Sequence, residues 1–420
     1  MEEENIFFDY QKQPGKVLNK IEMPQGSKPK ISIITSYYNS DEYLWQTFCT
    51  VENQTFPYWE WIIVDDGSAK EKTDILDKIA SQDSRIYVYH KENEGLAKGR
   101  DFAISKATTN YIFPLDADDL IDKTMLECSF WALETFPKAT WCYSSIVGFQ
   151  NMIYLDAREF DVEKMKVDNQ ITATALIRRQ AIEELGGYQK AKRYINEDWH
   201  LWLRMLQMGY FPIHMYFYGF WYRRKEKNSL LKQINDPHSE ANLLRLEAIK
   251  NEAMKVKQKV EAIELPTKLA EETEIIDMNY ADFPEVYFGN NVLIIAPWLR
   301  TDKHVLEIVE KEKDKHITII TTKPCNYIGR QWYEDKAEVF DLTTFLAQKN
   351  HEDFIKYIIK TRNVKKVYFC NTDKIQLDSN IEVICDSYIE DESMYAVYEK
   401  KYKKSKTLWG KILRKLRIKI

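Results

Sequence analysis

From Lys28 onward the chain sets short apolar runs against amphipathic stretches: Ile31 to Thr35, Trp61 to Val64, Ile86 to Tyr89 and Tyr111 to Leu115. Each run is apolar throughout rather than alternating, the pattern of parallel strands covered by helices on both faces. The spacing predicts a doubly wound α/β sheet over about residues 30–120. Residues 121–235 break this rhythm. They mix helical pieces, Arg179 to Leu185 and Asp198 to Met208, with the aromatic-rich strand Met215 to Tyr222, and read as an α+β continuation of the same domain.

Ala241 to Leu265 contains no Gly or Pro, and Leu246, Ile249, Ala253, Val256, Val260 and Ile263 recur at spacings of three and four. This predicts one long helix, packing on its own domains or pairing along a heptad seam with a second copy as a homo-oligomer. From Asn291 a second βαβ pattern begins: Val292 to Ala296, a helix over Val305 to Lys311, Ile317 to Thr321, a helix near Phe354 to Lys360, Val367 to Cys370, and Ile381 to Cys385. It predicts a smaller Rossmann-like unit, with no GxGxxG or GxxxxGK[ST] phosphate cradle. Lys400 to Ile420 holds ten Lys or Arg and no acid, with Leu408, Trp409, Ile412, Leu413 and Leu416 on one helical face. Such a basic amphipathic helix is expected at an anionic membrane surface, each cation adding about 1 kcal/mol of attraction.

Composition adds exclusions. A hydrophobic fraction of 44% with 30% charged residues is that of a folded chain, and a net charge of -5 gives no ground for nucleic acid as the main partner. The six cysteines are scattered without a CxxC pair and read as reduced thiols. The acidic first residues lack the basic and apolar regions of a signal peptide, and no apolar run approaches the roughly 18 residues of a membrane span. The expectation is a cytoplasmic protein, peripheral at the inner face of the cell membrane.

The candidate chemistry lies at two strand ends. Pro114 to Leu120 places Asp116, Asp118 and Asp119 together after an apolar run. A hard divalent cation relieves the mutual repulsion of such carboxylates, and Mg2+ or Mn2+ favours carboxylates plus substrate phosphate oxygens. Taken alone, the run also fits a solvated turn or a helix start. Asp65 and Asp66, in Val64-Asp65-Asp66-Gly67-Ser68, stand on the same rim of the sheet, where open α/β folds bind ligands. One of them can accept the imide N–H of a uracil or thymine; an Asx-type turn is the blander reading.

With Ile31 to Asn39, Asn53 to Phe56, Asn93 to Arg100, Leu185 to Tyr188 and Asn196 to Trp199, these segments follow in the order of the family 2 glycosyltransferases, which the chain resembles from about Lys28 to Ser229. The resemblance implies a GT-A fold and inverting transfer from a nucleotide sugar. Ser36, Tyr37 and Asp66 would line the nucleoside, with Asp66 toward the base and Asp65 supporting the loop or approaching the ribose. Arg100 and Lys98 would lie near the base or diphosphate, with Asp101 standing where the family usually has Asn. Asp116 and Asp118 would carry Mn2+ or Mg2+, and Asp119 would extend toward the donor sugar. Asp198 would be the general base and Glu197 would orient acceptor or loop, with Gly187, Tyr188 and Trp199 on the acceptor side. Lys225 stands where the family segment Tyr-Arg-x-His has its His. An ammonium cannot ligate a cation but holds phosphate, so Lys225 or Arg223 would partly replace that function, with weaker metal binding.

The second unit resembles the first half of a family 4 glycosyltransferase from about Asn291 to Glu390, through Ala296 to Leu299, Ile319 to Thr322 and Val339 to Leu342. A complete member needs a second half, and the glycine-rich loop expected near Arg300 to His304 is missing. The resemblance therefore implies a non-catalytic unit serving acceptor docking, stability or assembly, removable without loss of donor hydrolysis. The expected organisation is an N-terminal extension (1–29), a GT-A domain (30–235), a helical linker (236–288), a Rossmann-like domain (289–390) and a basic tail (391–420). The expected activity is transfer of a sugar, from UDP or dTDP, to a hydroxyl of a glycan or lipid-linked acceptor in bacterial cell-surface polysaccharide synthesis. The alternative is a catalytically inactive sugar-binding scaffold. A nucleotidyltransferase would need a glycine-rich basic loop after Ile34, which is absent.

Overall fold

The computed structural model describes residues 8–16, 20–188, 196–225, 240–257, 263–264, 274–287, 289–299, 303–323 and 327–386. Its first sheet begins with parallel strands β1 (Ile31–Tyr37), β2 (Trp59–Asp66), β3 (Ile86–Lys91) and β4 (Tyr111–Pro114), laid side by side as β3-β2-β1-β4. β2 and β4 are buried along their whole length, as the unbroken apolar runs require of strands covered on both faces. The crossovers carry helices α1 (Asp41–Glu52), α2 (Asp74–Ala80) and α3 (Leu96–Lys106). α3 lies so close to β1 that a Cβ on Gly99 would collide with Ser36 Oγ, so only glycine fits there.

The rest of this sheet is mixed. β5 (Leu120–Ile121), α4 (Met125–Thr135), β6 (Trp141–Gln150), β7 (Tyr154–Asp156), α5 (Val162–Met165), β8 (Leu176–Arg178), α6 (Arg179–Leu185), α7 (Glu197–Gln207) and β9 (Pro212–Arg224) follow in turn. β8 runs antiparallel to β4 and β6, and β6 is parallel to β9. β5 pairs with the far end of β9, Leu120 facing Trp221 and Ile121 facing Phe220. Residues 116–119 are thus tied at both ends, to β4 and through β5 to β9. This is the α/β arrangement expected of a GT-A fold.

The expected long helix does not form. The helix Glu240–Ala253 stops short of the expected range, and Ile263 belongs to a two-residue strand, β10 (Ile263–Glu264), parallel to β9. Ile249, Ala253 and Val256, three of the six seam residues, are buried in the core that surrounds α7. These three pack on their own domain, the first of the two expected arrangements, whereas Leu246 stays exposed and Val260 lies outside the described residues. The tail Lys400 to Ile420 lies outside the described residues.

A second, wholly parallel sheet contains β11 (Asn291–Ala296), β12 (Ile317–Thr321), β13 (Glu338–Asp341), β14 (Val364–Cys370) and β15 (Glu382–Asp386), in the order β13-β12-β11-β14-β15. It does not stand apart. One apolar core runs from β1, β2 and α4 into this unit, with the Trp131 ring 5.0 Å from those of Phe354 and Tyr357. Within that contact Arg362 donates to both Glu127 oxygens, at 2.8 and 2.6 Å, and both side chains are 0% exposed. Tyr357 Oη and Thr55 Oγ1 also donate to Glu127, each at 2.6 Å. Arg330 donates to Asp122 Oδ1 at 2.6 Å and to Thr124 Oγ1 at 2.8 Å. The expectation that the unit can be removed harmlessly is therefore corrected: its removal would strip Trp131 of its cover and leave Glu127 without its cation. Among the described residues no helix is long and apolar enough to cross a membrane.

Candidate active site

Sheet register builds the first part of the site. It sets His90 beside Asp65 and Lys91 beside Asp66. Asp65 accepts from Ser68 N at 3.0 Å, and its other oxygen lies 2.8 Å from His90 Nδ1. Burial works to raise the Asp65 carboxyl, but the bonds from Ser68 and His90 outweigh it and hold the group below its ordinary value. Asp66 accepts from Lys91 Nζ at 2.8 Å, Glu94 N at 3.0 Å and Gly95 N at 2.7 Å, and is 2% exposed. These bonds hold Asp66 against the turn that opens α3, with two donors on Oδ1 and one on Oδ2, so Oδ2 keeps a lone pair for a further donor. Tyr37 is also buried, its hydroxyl on Lys72 O, whereas its neighbour Tyr38 is exposed. A strand end turns successive side chains to opposite faces, and the outward one is Tyr38. Ser36 is half-buried beside Gly99, and Lys98 reaches Glu94, at 2.8 Å on the surface of α3.

The centre of the site is Arg100, 1% exposed on α3. One guanidinium nitrogen donates to Glu197 and the other to Asp116 Oδ1, at 2.7 Å. This fork joins the acidic loop after β4 to the N-terminus of α7, two segments far apart in the chain. Taking such charges out of water is costly unless they are paired in good geometry, and the two-carboxylate bridge supplies it. Burial raises the Glu197 carboxyl, Arg100 opposing the rise and Asp198 and Asp116 adding to it.

Asp118 pairs with Lys225 Nζ at the end of β9. Burial leaves the Asp118 carboxyl above its ordinary value, Lys225 working against the rise and Asp116 with it. Asp119 turns away: it is buried and accepts from Arg223 N at 2.8 Å, which corrects its expected approach to the donor sugar. Arg223 is corrected in the same way. Its guanidinium donates to Asp118 O at 2.6 Å, Gln150 Oε1 at 3.0 Å and Gln46 Oε1 at 2.8 Å, so it clamps the acidic loop from behind.

The fit of a divalent cation rests on what Asp116 and Asp118 retain. Arg100 takes Asp116 Oδ1 and Lys225 takes Asp118 Oδ2. The remaining oxygen of each accepts no hydrogen bond among the described residues. Two carboxylate oxygens completed by donor phosphates suit Mg2+ or Mn2+. Among the described residues no three His, Cys, Asp or Glu side chains form a ligand set by themselves. The residues fit an ion that arrives with its phosphate ligands.

Asp198, in the first turn of α7, accepts from Trp199 N at 2.8 Å and from Asn169 Nδ2 at 2.9 Å. Burial raises its carboxyl; the Trp199 N–H, Arg100 and Asn169 oppose the rise, and Asp116 adds to it. The residues expected on the acceptor side are framework instead. Tyr188 is 0% exposed, with Arg100 5.4 Å from its ring centroid. Trp199 is buried and donates from Nε1 to Met165 O at 2.7 Å. Gly187 has φ +92, and a Cβ there would meet Asp101 Oδ1 at 2.7 Å; Asp101 itself accepts from Tyr188 N at 2.7 Å. Asp101 therefore braces this turn. Asn169 carried no signal in the sequence, since its partner lies 29 residues onward in a different element.

Comparison with known proteins bears on this constellation. A family model described as glycosyl transferase family 2 matches residues 32–186. TuaG of Bacillus subtilis (strain 168), named for teichuronic acid biosynthesis, is 32% identical over 194 residues, 44% of this chain and 74% of TuaG. The glycosyltransferase GlyG of Streptococcus pneumoniae serotype 4 is 37% identical over 98 residues, 23% of this chain and 33% of that protein. A cholesterol galactosyltransferase of Borreliella burgdorferi is 37% identical over 100 residues, 24% of this chain and 28% of that one. The chain thus spans about three quarters of TuaG but a third or less of the other two. Among solved structures, Staphylococcus aureus TarS residues 1–349 with UDP-GlcNAc gives a TM-score of 0.41 at 17% identity, over 47% of this chain and 59% of that one. The matched segment runs from β1 through both acidic strand ends to the turn after α6, and TuaG is similar over most of its length. This chain belongs to glycosyltransferase family 2 and is a transferase.

Proposed function

We propose that the protein transfers a sugar from a UDP- or dTDP-sugar to a hydroxyl of a glycan or lipid-linked acceptor, with inversion at the anomeric carbon, in bacterial cell-surface polysaccharide synthesis. The observation that carries this reading is the Arg100 fork, which draws Asp116, Glu197 and the adjacent Asp198 to one place. In it, Asp198 takes the proton of the acceptor hydroxyl as the new C–O bond forms and the bond from the anomeric carbon to the diphosphate breaks. The raised Asp198 carboxyl suits a base that must hold the proton through that step. Arg100 stays charged and keeps Glu197 and Asp116 in place. Lys225 shifts from Asp118 toward the developing phosphate charge, an ammonium acting as a point charge. Asp116 and Asp118 would hold Mn2+ or Mg2+, which would supply further compensation for the charge of the departing diphosphate.

Two features support a cell-surface setting: the TuaG resemblance and the basic amphipathic segment Lys400 to Ile420, which suits the inner face of an anionic membrane. The test is UDP or dTDP release by the full chain across a panel of nucleotide sugars, with and without Mn2+, beside Asp118→Ala and Asp198→Asn. Turnover of one donor that needs metal and both carboxylates is the expected result. Binding without turnover by the native chain would favour a sugar-binding scaffold instead.

A further inference from the structure

Asn169 lies in the loop between α5 and β8, and its amide nitrogen donates to Asp198 Oδ2. An ionised carboxylate only accepts, so the nitrogen must face Asp198 and the carbonyl must face away. That carbonyl oxygen is buried and has no hydrogen-bond partner among the described residues. Leaving a buried carbonyl unpaired is costly, so this asparagine is a poor choice for stability. Asp198 is where the gain falls: Trp199 N holds Oδ1, Asn169 holds Oδ2, and lone pairs remain on both oxygens for an incoming proton.

Resting on the reading of Asp198 as general base, we propose that Asn169 is a positioning residue for the transfer, locking the Asp198 carboxylate in the orientation that meets the acceptor hydroxyl. The groups facing Asp198 from the surrounding elements are Arg100 on α3, Asp116 after β4, Glu197 on its own helix, Tyr188 after α6 and Tyr222 on β9. Arg100 is the cation among them, and it is already shared by Glu197 and Asp116. The Asn169 amide therefore adds to the stabilisation of the ionised base that the Trp199 N–H and Arg100 supply, and among the described residues it is the side chain that donates to Oδ2.

The experiment uses the full chain with 13Cγ-labelled aspartate, Asp198→Asn assigning the Asp198 resonance, so that no substrate is needed for the first readout. In Asn169→Ala the Asp198 titration moves up by about one unit, tenfold, the size of a lost hydrogen bond to a charged group. Asn169→Asp, which keeps the shape and adds a like charge, moves it further. Turnover is read as UDP released from UDP-glucose, UDP-galactose and UDP-N-acetylglucosamine: kcat at pH 7 falls about tenfold in Asn169→Ala, KM changes less than twofold, and the melting temperature stays level or rises. An unmoved titration, or a lowered melting temperature with unchanged kcat, overturns the proposal. Retained turnover in Asp198→Asn instead overturns the reading of Asp198 as base, which separates the two failures.

Discussion

Arg362 and Glu127 stand 235 residues apart in the chain and meet as a two-bond ion pair, both side chains fully buried between the two sheets. Removing one partner of such a pair costs about 3–5 kcal/mol, because the other charge stays buried. Arg362→Met should lower the unfolding free energy by that amount in urea. Adding Glu127→Leu should restore part of it, the hydroxyls of Tyr357 and Thr55 losing their acceptor. A single-variant loss under about 1 kcal/mol would show that the pair is not sealed from water. Residues 1–288 alone should aggregate; a soluble fragment with native donor hydrolysis would mean that the sheets do not depend on a common core.

The Arg100 fork predicts that Arg100→Lys is not a conservative change. A lysine ammonium cannot span Glu197 and Asp116 as the planar guanidinium does. We expect kcat/KM for donor hydrolysis to fall about 100-fold, as a misplaced catalytic group predicts, with about 2 kcal/mol lost from stability. Native kcat/KM in Arg100→Lys would remove the bridge from the mechanism.

In the proposed site Lys225 would compete with a divalent cation for Asp118. The ammonium is about a quarter exposed, so its removal should strengthen Mn2+ binding only modestly, about five- to tenfold by calorimetric titration. Lys225→His, which adds a nitrogen ligand, should strengthen it more than Lys225→Ala. Equal affinities in the native chain and both variants would place the ion away from Asp118.

His214 gives a pH dependence. Its ring stacks on Tyr143 with centroids 4.7 Å apart, and Nε2 lies 3.3 Å from Ser145 Oγ. Burial lowers its pKa to about 4, whereas an unfolded histidine titrates near 6.5. The unfolded chain therefore binds the proton first. This contribution is complete above pH 6.5 and is lost as pH falls toward 4, up to about 3 kcal/mol. His214→Phe keeps the stacking and should flatten the fall in urea stability between pH 7 and pH 5 relative to the native chain. Parallel curves for the two proteins would assign that fall to other groups.

Much of the fold was legible in the chain because strands and helices leave a local periodic signal. The apolar runs at 31–35 and 61–64 fall inside β1 and β2, the run at 111–115 overruns β4 by one residue, and Arg179 to Leu185 coincides with α6. The acidic run 116–119 could likewise be placed at a strand end from its flanking residues. The heptad spacing left two readings open, and Ile249, Ala253 and Val256 take the first of them, buried against α7 within the same chain. Period reports that a face is apolar, not what covers it.

By itself, then, the sequence determined the succession of elements, the family, and the loops on which the carboxylates ride. Tertiary structure alone decided which of those side chains gather at Arg100 and which serve the framework. Asp66 closes a turn through Glu94 N and Gly95 N, Asp119 and Arg223 brace one another, and Tyr188 and Trp199 are core. It also decided the pairs Arg100–Asp116, Asn169–Asp198 and Arg362–Glu127. A hydrogen bond or ion pair depends on sheet register and on the packing of elements remote in sequence, and neither leaves a local pattern to read.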